Sequence, residues 1–237
     1  MIEKYIEYVH DGTTFEGYLA LDEAQPPPRP AVLIAHTWQG RGEFVCDKAR
    51  ILAGEGYVSF AIDLYGKGVY GNSPEESAGL MQPLLDDRTL LQTRMRCALA
   101  ALRGQPEVDN QRVAAIGYCF GGLCVLDLAR IGADVRSVVS FHGLLGKPGN
   151  TDGNAIPAKI LILHGNDDPM APIEDVIAIG NELTAADADW QLHAYGNTMH
   201  SFTNPNANDA NLGTVYNGTA DQRSWVSLIS FLSETLS

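Results

Sequence analysis

The chain lacks any apolar run approaching the roughly 18 residues needed to cross a bilayer. It also lacks the apolar stretch of a secretory signal, since "MIEKYIEYVH" mixes charged and apolar residues from the start. Basic residues are scarce: 16 Lys and Arg stand against 29 Asp and Glu, a formal net charge of −13. Nucleic acid and anionic membrane surfaces are bound by clustered Lys and Arg, so neither is an expected partner. Only four cysteines occur, Cys46, Cys97, Cys119 and Cys124. None is at paired metal-ligand spacing, and they predict neither a metal site nor a disulfide framework. A reducing, cytoplasmic compartment is the expected location. Internal repeats and low-complexity segments are absent, and "GYCFGG" does not complete the G-x-G-x-x-G of a dinucleotide site.

What is present is a long alternation of short apolar runs and amphipathic stretches. With 237 residues, 45% of them hydrophobic, the chain can bury a sizeable core, and residues 1–237 are expected to form one α/β domain. "KYIEYVH" and "TFEGYLAL", joined by Asp11-Gly12, predict an antiparallel hairpin. "AVLIAH", "YVSFAIDL", "RVAAIGY", "VRSVVSFHG" and "KILILHG" are β-branched apolar runs, as in strands buried on both faces. "WQLHAY" reads as a late strand. Between and after them, "FVCDKARILAGEG", "DDRTLLQTRMRCALAALRGQ", "FGGLCVLDLARIG", "PIEDVIAIGNELTAADA" and "TADQRSWVSLISFLSETL" read as helices. The alternation predicts a mainly parallel sheet covered by helices on both faces. "TNPNANDANLGTVYNG" is expected to be a surface loop or lid.

Cys119 stands between a strand and a helix, with Gly117 before it and Gly121-Gly122 after. Such a turn projects a side chain from the carboxyl end of a strand. The Phe120 amide would then lie at a helix N-terminus as a donor for an oxyanion. The same positive helix end lowers a thiol pKa, and the thiolate is the reactive form. A buried core cysteine is the competing reading, because free cysteine is among the most buried residue types. A nucleophile needs a base and the base an orienting acid. Downstream, "HGNDDP" carries Asp168 after a buried strand, and "YGNTMHSF" carries His200 after the last strand. The order nucleophile, acid, histidine is that of α/β-hydrolases. Asp167 competes locally with Asp168; the pattern Gly-x-x-Asp-Pro favours Asp168, leaving Asp167 to cap the turn.

With "AVLIAHTWQG", "AIDLYGKG", "GYCFGG", "HGNDDP" and "YGNTMHSFTNP" in this order, the chain resembles the dienelactone hydrolase family over nearly its whole length. The resemblance implies an α/β-hydrolase fold, with a mainly parallel central sheet, helices on both faces and an N-terminal antiparallel hairpin. It implies Cys119 as nucleophile, His200 as base, Asp168 as orienting acid, and the amides of Phe120 and Trp38 as the oxyanion hole. The implied reaction is hydrolysis of a small-molecule ester or lactone through a thioester, with no cofactor. Family members carry a glutamate where this chain has Thr37, so thiolate formation falls to His200 and the helix end, or to Glu43. They bind anionic substrate with arginines, whereas this chain has Lys67 and Asn204 at those places. The implied substrate is therefore a related but different ester, lactone or thioester.

Trp38, Tyr65 and Phe202 are candidates for an apolar pocket wall, with plain core as the alternative. His36 sits where it either contacts substrate or hydrogen-bonds backbone to shape the turn. His142 and His164, at strand ends, are candidates to line the cleft, and Cys124 is expected in the core. An amidase on the same residue types is disfavoured by the late strand–loop–His order. The rival from another class is a protein that binds ligand or senses redox state at Cys119 without turnover.

Overall fold

A computed structural model describes residues 1–237. β1 (Ile2–His10) and β2 (Thr13–Leu21) form the expected hairpin, and Asp11 and Gly12 between them take positive φ, 46° and 73°. A two-residue turn of this hand matches the twist of its strands. β3 (Arg29–Ala35), β4 (Val58–Ala61), β5 (Val108–Tyr118), β6 (Ser137–Phe141), β7 (Lys159–Gly165) and β8 (Trp190–Tyr195) follow. The eight make one sheet in the order β1-β2-β4-β3-β5-β6-β7-β8. Pairings from β4 to β8 are parallel, and β2 joins β4 antiparallel.

Alternate residues of a strand face opposite sides of the sheet. In β3, Ala31, Leu33 and Ala35 enter one core while Val32 and Ile34 enter the other. The second core is closed by α1 (Glu43–Gly54) and α6 (Gly218–Thr235). The first is closed by α2 (Pro74–Asp86), α3 (Arg88–Arg103), α4 (Phe120–Arg130) and α5 (Ile173–Ala185). All eleven residues of α4 are buried, so the helix that follows Cys119 is the most enclosed of the six.

Two features go beyond the sequence expectations. α2 is capped by the Ser73 side chain, which accepts from the Glu76 amide, and has proline in its first turn. The Asn-rich stretch is not plain loop: β9 (Asn208–Asp209) pairs with β10 (Thr214–Val215). No helix is long and apolar enough to cross a membrane.

Strands β3, β5, β6, β7 and β8 are neighbours and run the same way, so their carboxyl ends lie along one edge. The loops that leave those ends carry Thr37 and Trp38, Cys119, His142, Asp168 and His200. A crevice at strand carboxyl ends is where open parallel sheets bind ligands.

Candidate active site

Cys119 occupies the step between β5 and α4 with φ 56° and ψ −118°. This conformation is unfavourable for an L-residue by roughly 1–3 kcal/mol and persists only where its surroundings enforce it. They do so here. The Cys119 amide donates to the Phe141 carbonyl at 3.0 Å, and the Cys119 carbonyl accepts from Gly122 at 2.9 Å. Gly117 and Gly121 let the turn close: a Cβ on Gly117 would lie 2.0 Å from the Gly121 carbonyl oxygen, and one on Gly121 would lie 2.3 Å from that of Ala35. Gly117→Ala is accordingly expected to cost about 3 kcal/mol, or roughly 6–12 °C in Tm, because only backbone can yield. A thermal melt checks it, and Cys119 reactivity should fall in the same variant.

The loop after β8 places His200, and the loop after β7 places Asp168. His200 is held by its backbone: its amide donates to Gly213 at 2.9 Å, and its carbonyl accepts from Val215 at 3.1 Å. Its Nδ1 is 2.7 Å from Asp168 Oδ2, and both side chains are buried. Asp168 Oδ1 accepts from the Met170 amide at 2.8 Å, so each carboxylate oxygen has one fixed partner. Asp167, exposed, accepts only from Asn166. Of the two aspartates, Asp168 is the one that bonds His200.

The second ring nitrogen of His200, Nε2, is buried and has no hydrogen-bond partner. Burial by itself disfavours the imidazolium, but the negative charge of Cys119 and the bond to Asp168 outweigh it and raise the His200 pKa well above its ordinary value. Cys119 moves the other way. Burial pushes its thiol up, yet the positive charge and ring N–H of His200, with the amides of Phe120 and Trp38, bring it below the ordinary value. The two shifts act in one sense: each group favours the charged form of the other, thiolate on one side and imidazolium on the other. Nearby His142 is held neutral, first by burial and then by the charge of His200.

A cavity of about 410 Å³ opens over this group. Thr37, Trp38 and Asn204 line it, as do Cys119 and His200. Its remaining walls include Phe44, Met81, Leu144, Met170 and Leu212, which come from helices and loops far apart in sequence. No Lys, Arg, Asp or Glu lines it. Of these walls only Met170 had a sequence cue, its place two residues after Asp168.

Four proposed pocket residues stand elsewhere. Lys67 is half exposed and paired with Glu7 and, at 2.9 Å, with Glu16. Phe202 is fully buried, packed against His142 and Tyr195 rather than facing the cavity. Tyr65 lies outside the lining and donates from its hydroxyl to the Trp38 carbonyl at 2.9 Å. His36 is fully buried and bonds backbone on both sides, the turn-shaping alternative. Glu43 points to solvent and pairs with Arg50, so it does not reach Cys119. Of the two strand-end histidines, His142 lines the cavity and His164 does not. Cys124 is fully buried, and burial pushes its thiol well above the ordinary value, as a core cysteine requires. No group of three or more His, Cys, Asp or Glu side chains is arranged to hold a metal ion.

The doubly covered parallel sheet, with its strained turn after the central strand, is the α/β-hydrolase fold. Within that class, the dienelactone hydrolase family pattern matches residues 15–236, and the chain belongs to that family. It is similar to the solved structure of a dienelactone hydrolase-like promiscuous phosphotriesterase, P91, from metagenomic libraries. The two share 35% identity at a TM-score of 0.94, covering 100% of this chain and 99% of the other. A probable 2-oxo-3-(5-oxofuran-2-ylidene)propanoate lactonase from Bradyrhizobium sp. is 27% identical, covering 96% of this chain and 93% of its own. A putative carboxymethylenebutenolidase from Yersinia pestis is 25% identical, covering 94% and 85%.

Proposed function

We propose that the protein hydrolyses small, uncharged esters or lactones by covalent catalysis at Cys119. The observation that carries this reading is the buried Asp168–His200 bond, with His200 and Cys119 lining one cavity and shifting each other's pKa, the thiol down and the imidazole up. The thiolate sulfur attacks the substrate carbonyl, and the electron pair moves to oxygen. The amides of Phe120 and Trp38 stabilise that oxyanion. When the C–O bond breaks, the His200 imidazolium gives its proton to the leaving alkoxide. Neutral His200 then takes a proton from water, whose oxygen attacks the thioester and releases the acid. Asp168 keeps the Nδ1 proton in place through both halves. Thr37 supplies no carboxylate, and this route needs none, because His200 takes the thiol's proton.

The uncharged class follows from the lining. A substrate carboxylate entering the cavity would lose water and gain no cation, since Lys67 is already committed to two glutamates outside it. The family and the named relatives favour ester or lactone chemistry, and the phosphotriesterase name adds a neutral phosphotriester worth assaying. The test is hydrolysis of p-nitrophenyl valerate and of mono-p-nitrophenyl glutarate, by wild type and by Cys119→Ala. Turnover of the valerate should exceed that of the glutarate by about 10²-fold in kcat/KM and vanish in the variant. Equal rates would refute the uncharged class. A wild type inert on both esters while Cys119 still alkylates would refute hydrolysis and favour a ligand-binding or redox-sensing protein.

A further inference from the structure

We propose that His36 is a positioning residue: its imidazole fixes the Thr37–Trp38 peptide so that the Trp38 N–H faces Cys119. A peptide's C=O and N–H point in opposite directions, so whatever holds one aims the other. His36 Nδ1 lies 2.6 Å from the Thr37 carbonyl oxygen, and that carbonyl shares its peptide with the Trp38 N–H. The tautomer is not free. His36 Nε2 receives the Leu64 amide at 3.2 Å, so Nε2 is the bare nitrogen and Nδ1 carries the hydrogen that Thr37 accepts. His36 is fully buried, and burial lowers its pKa, which keeps the ring neutral and this polarity intact.

The next peptide is held as well. Tyr65 donates to the Trp38 carbonyl, and its ring packs on His36 with centroids 4.8 Å apart. The Asp63 carboxylate accepts from the amides of Tyr65 and Gly66, which fixes the turn that carries this tyrosine. A further bond, from Gly40 to the Thr37 carbonyl at 3.2 Å, closes the loop without reaching across to another strand. The Trp38 N–H itself is left without a backbone or side-chain oxygen to bind. A donor so placed, on a cavity wall beside the sulfur, is free for an oxyanion. The inference rests on Cys119 being the nucleophile.

Two substitutions separate positioning from support. Asn places an amide nitrogen near the imidazole Nδ1, so His36→Asn keeps a donor for Thr37 and gives up the acceptor for Leu64. Gln places its oxygen near Nε2, so His36→Gln keeps the acceptor and loses the donor. Removing one oxyanion donor costs about 10²–10³ in kcat, so His36→Gln should lose about 10²-fold in kcat with KM within about threefold. His36→Asn should lose at least about tenfold less. Iodoacetamide alkylation of Cys119 should need higher pH in the Gln variant than in the Asn variant, because one amide no longer favours the thiolate. Equal losses in the two variants, or a Gln variant with wild-type kcat and alkylation profile, would overturn the proposal. If the wild type hydrolyses no ester, the hydrolase reading fails on its own, and the alkylation profiles still decide the peptide's orientation. Tyr65→Phe removes a single hydroxyl and so guards against variants that do not fold. A fall in kcat of about fivefold at constant KM is expected, and an unchanged kcat counts against the paired hold.

Discussion

Cys119→Ser is expected to lower ester turnover by about three orders of magnitude or more, even though serine is the commoner residue at such a turn. The reason is the charge state of the site. Cys119 and His200 shift each other's pKa in opposite directions, so the site favours the sulfur anion before substrate arrives. A serine hydroxyl does not ionise beside a histidine; it must be deprotonated during attack, by an imidazole that starts neutral. Removing the sulfur anion also removes the largest influence that raises the His200 pKa. The variant therefore loses both the preformed nucleophile and the preformed acid for the leaving group. Pre-steady-state release of p-nitrophenol measures the outcome: wild type should show a burst near one equivalent, with an acyl adduct on Cys119 by mass. The serine variant should show neither. A serine variant that keeps wild-type kcat would mean that the nucleophile is activated in transit, and that the ion pair is not what the site is built to supply.

Much of this was open to a reader of the sequence, for reasons that differ by residue. The hairpin was readable because Asp-Gly at two-residue spacing admits few other turns, and both residues take the positive φ that it requires. The buried strands were readable because β-branched runs with both faces covered leave few polar positions. Cys119, Asp168 and His200 could be expected near one another because each lies in the turn or loop after a strand of the sheet, which brings all three to one edge. α2 was missed although Ser73, Pro74 and Glu76 form a helix start. Only Ser77 and Leu84 of its residues are buried, and Pro83 interrupts it, so the apolar period is faint. The cavity wall was the least readable part. Lys67 follows "DLYG", where family members carry an arginine, yet Glu7 and Glu16 of the N-terminal hairpin hold it away from the cavity. That pairing depends on β2 lying beside β4, a register that no local pattern states. His36 looked ambiguous for a similar cause: its two partners, Thr37 and Leu64, belong to loops after different strands.

Asp168→Asn should be nearly as damaging as loss of the sulfur, with kcat reduced by about 10³–10⁴-fold and little change in fold. Charge is only part of the argument, because the hydrogen-bond directions around the carboxylate decide the tautomer. Oδ1 accepts from the Met170 amide and Oδ2 faces His200 Nδ1. In an asparagine variant the side-chain oxygen is claimed by the Met170 N–H, which leaves the amide nitrogen against His200. That nitrogen donates, so His200 Nδ1 must accept, and the ring's single hydrogen moves to Nε2. A neutral ring of this tautomer cannot take the thiol's proton at Nε2. Loss of the carboxylate also withdraws an interaction that raises the His200 pKa, and with the imidazolium goes the charge that lowers the thiol. The pH profile carries the sign. Cys119 of the wild type should alkylate with iodoacetamide at a pH below the ordinary thiol value of 9.0, and lose that reactivity as falling pH protonates the sulfur. In the asparagine variant the profile should move up towards an ordinary thiol, so reactivity at neutral pH falls and returns as pH rises. Asp167→Asn, at the exposed neighbour that binds only Asn166, should leave both kcat and the alkylation profile near wild type. If the two variants behaved alike, the bond from Asp168 to His200 would be an ordinary buried contact, and the orienting role would have to lie elsewhere.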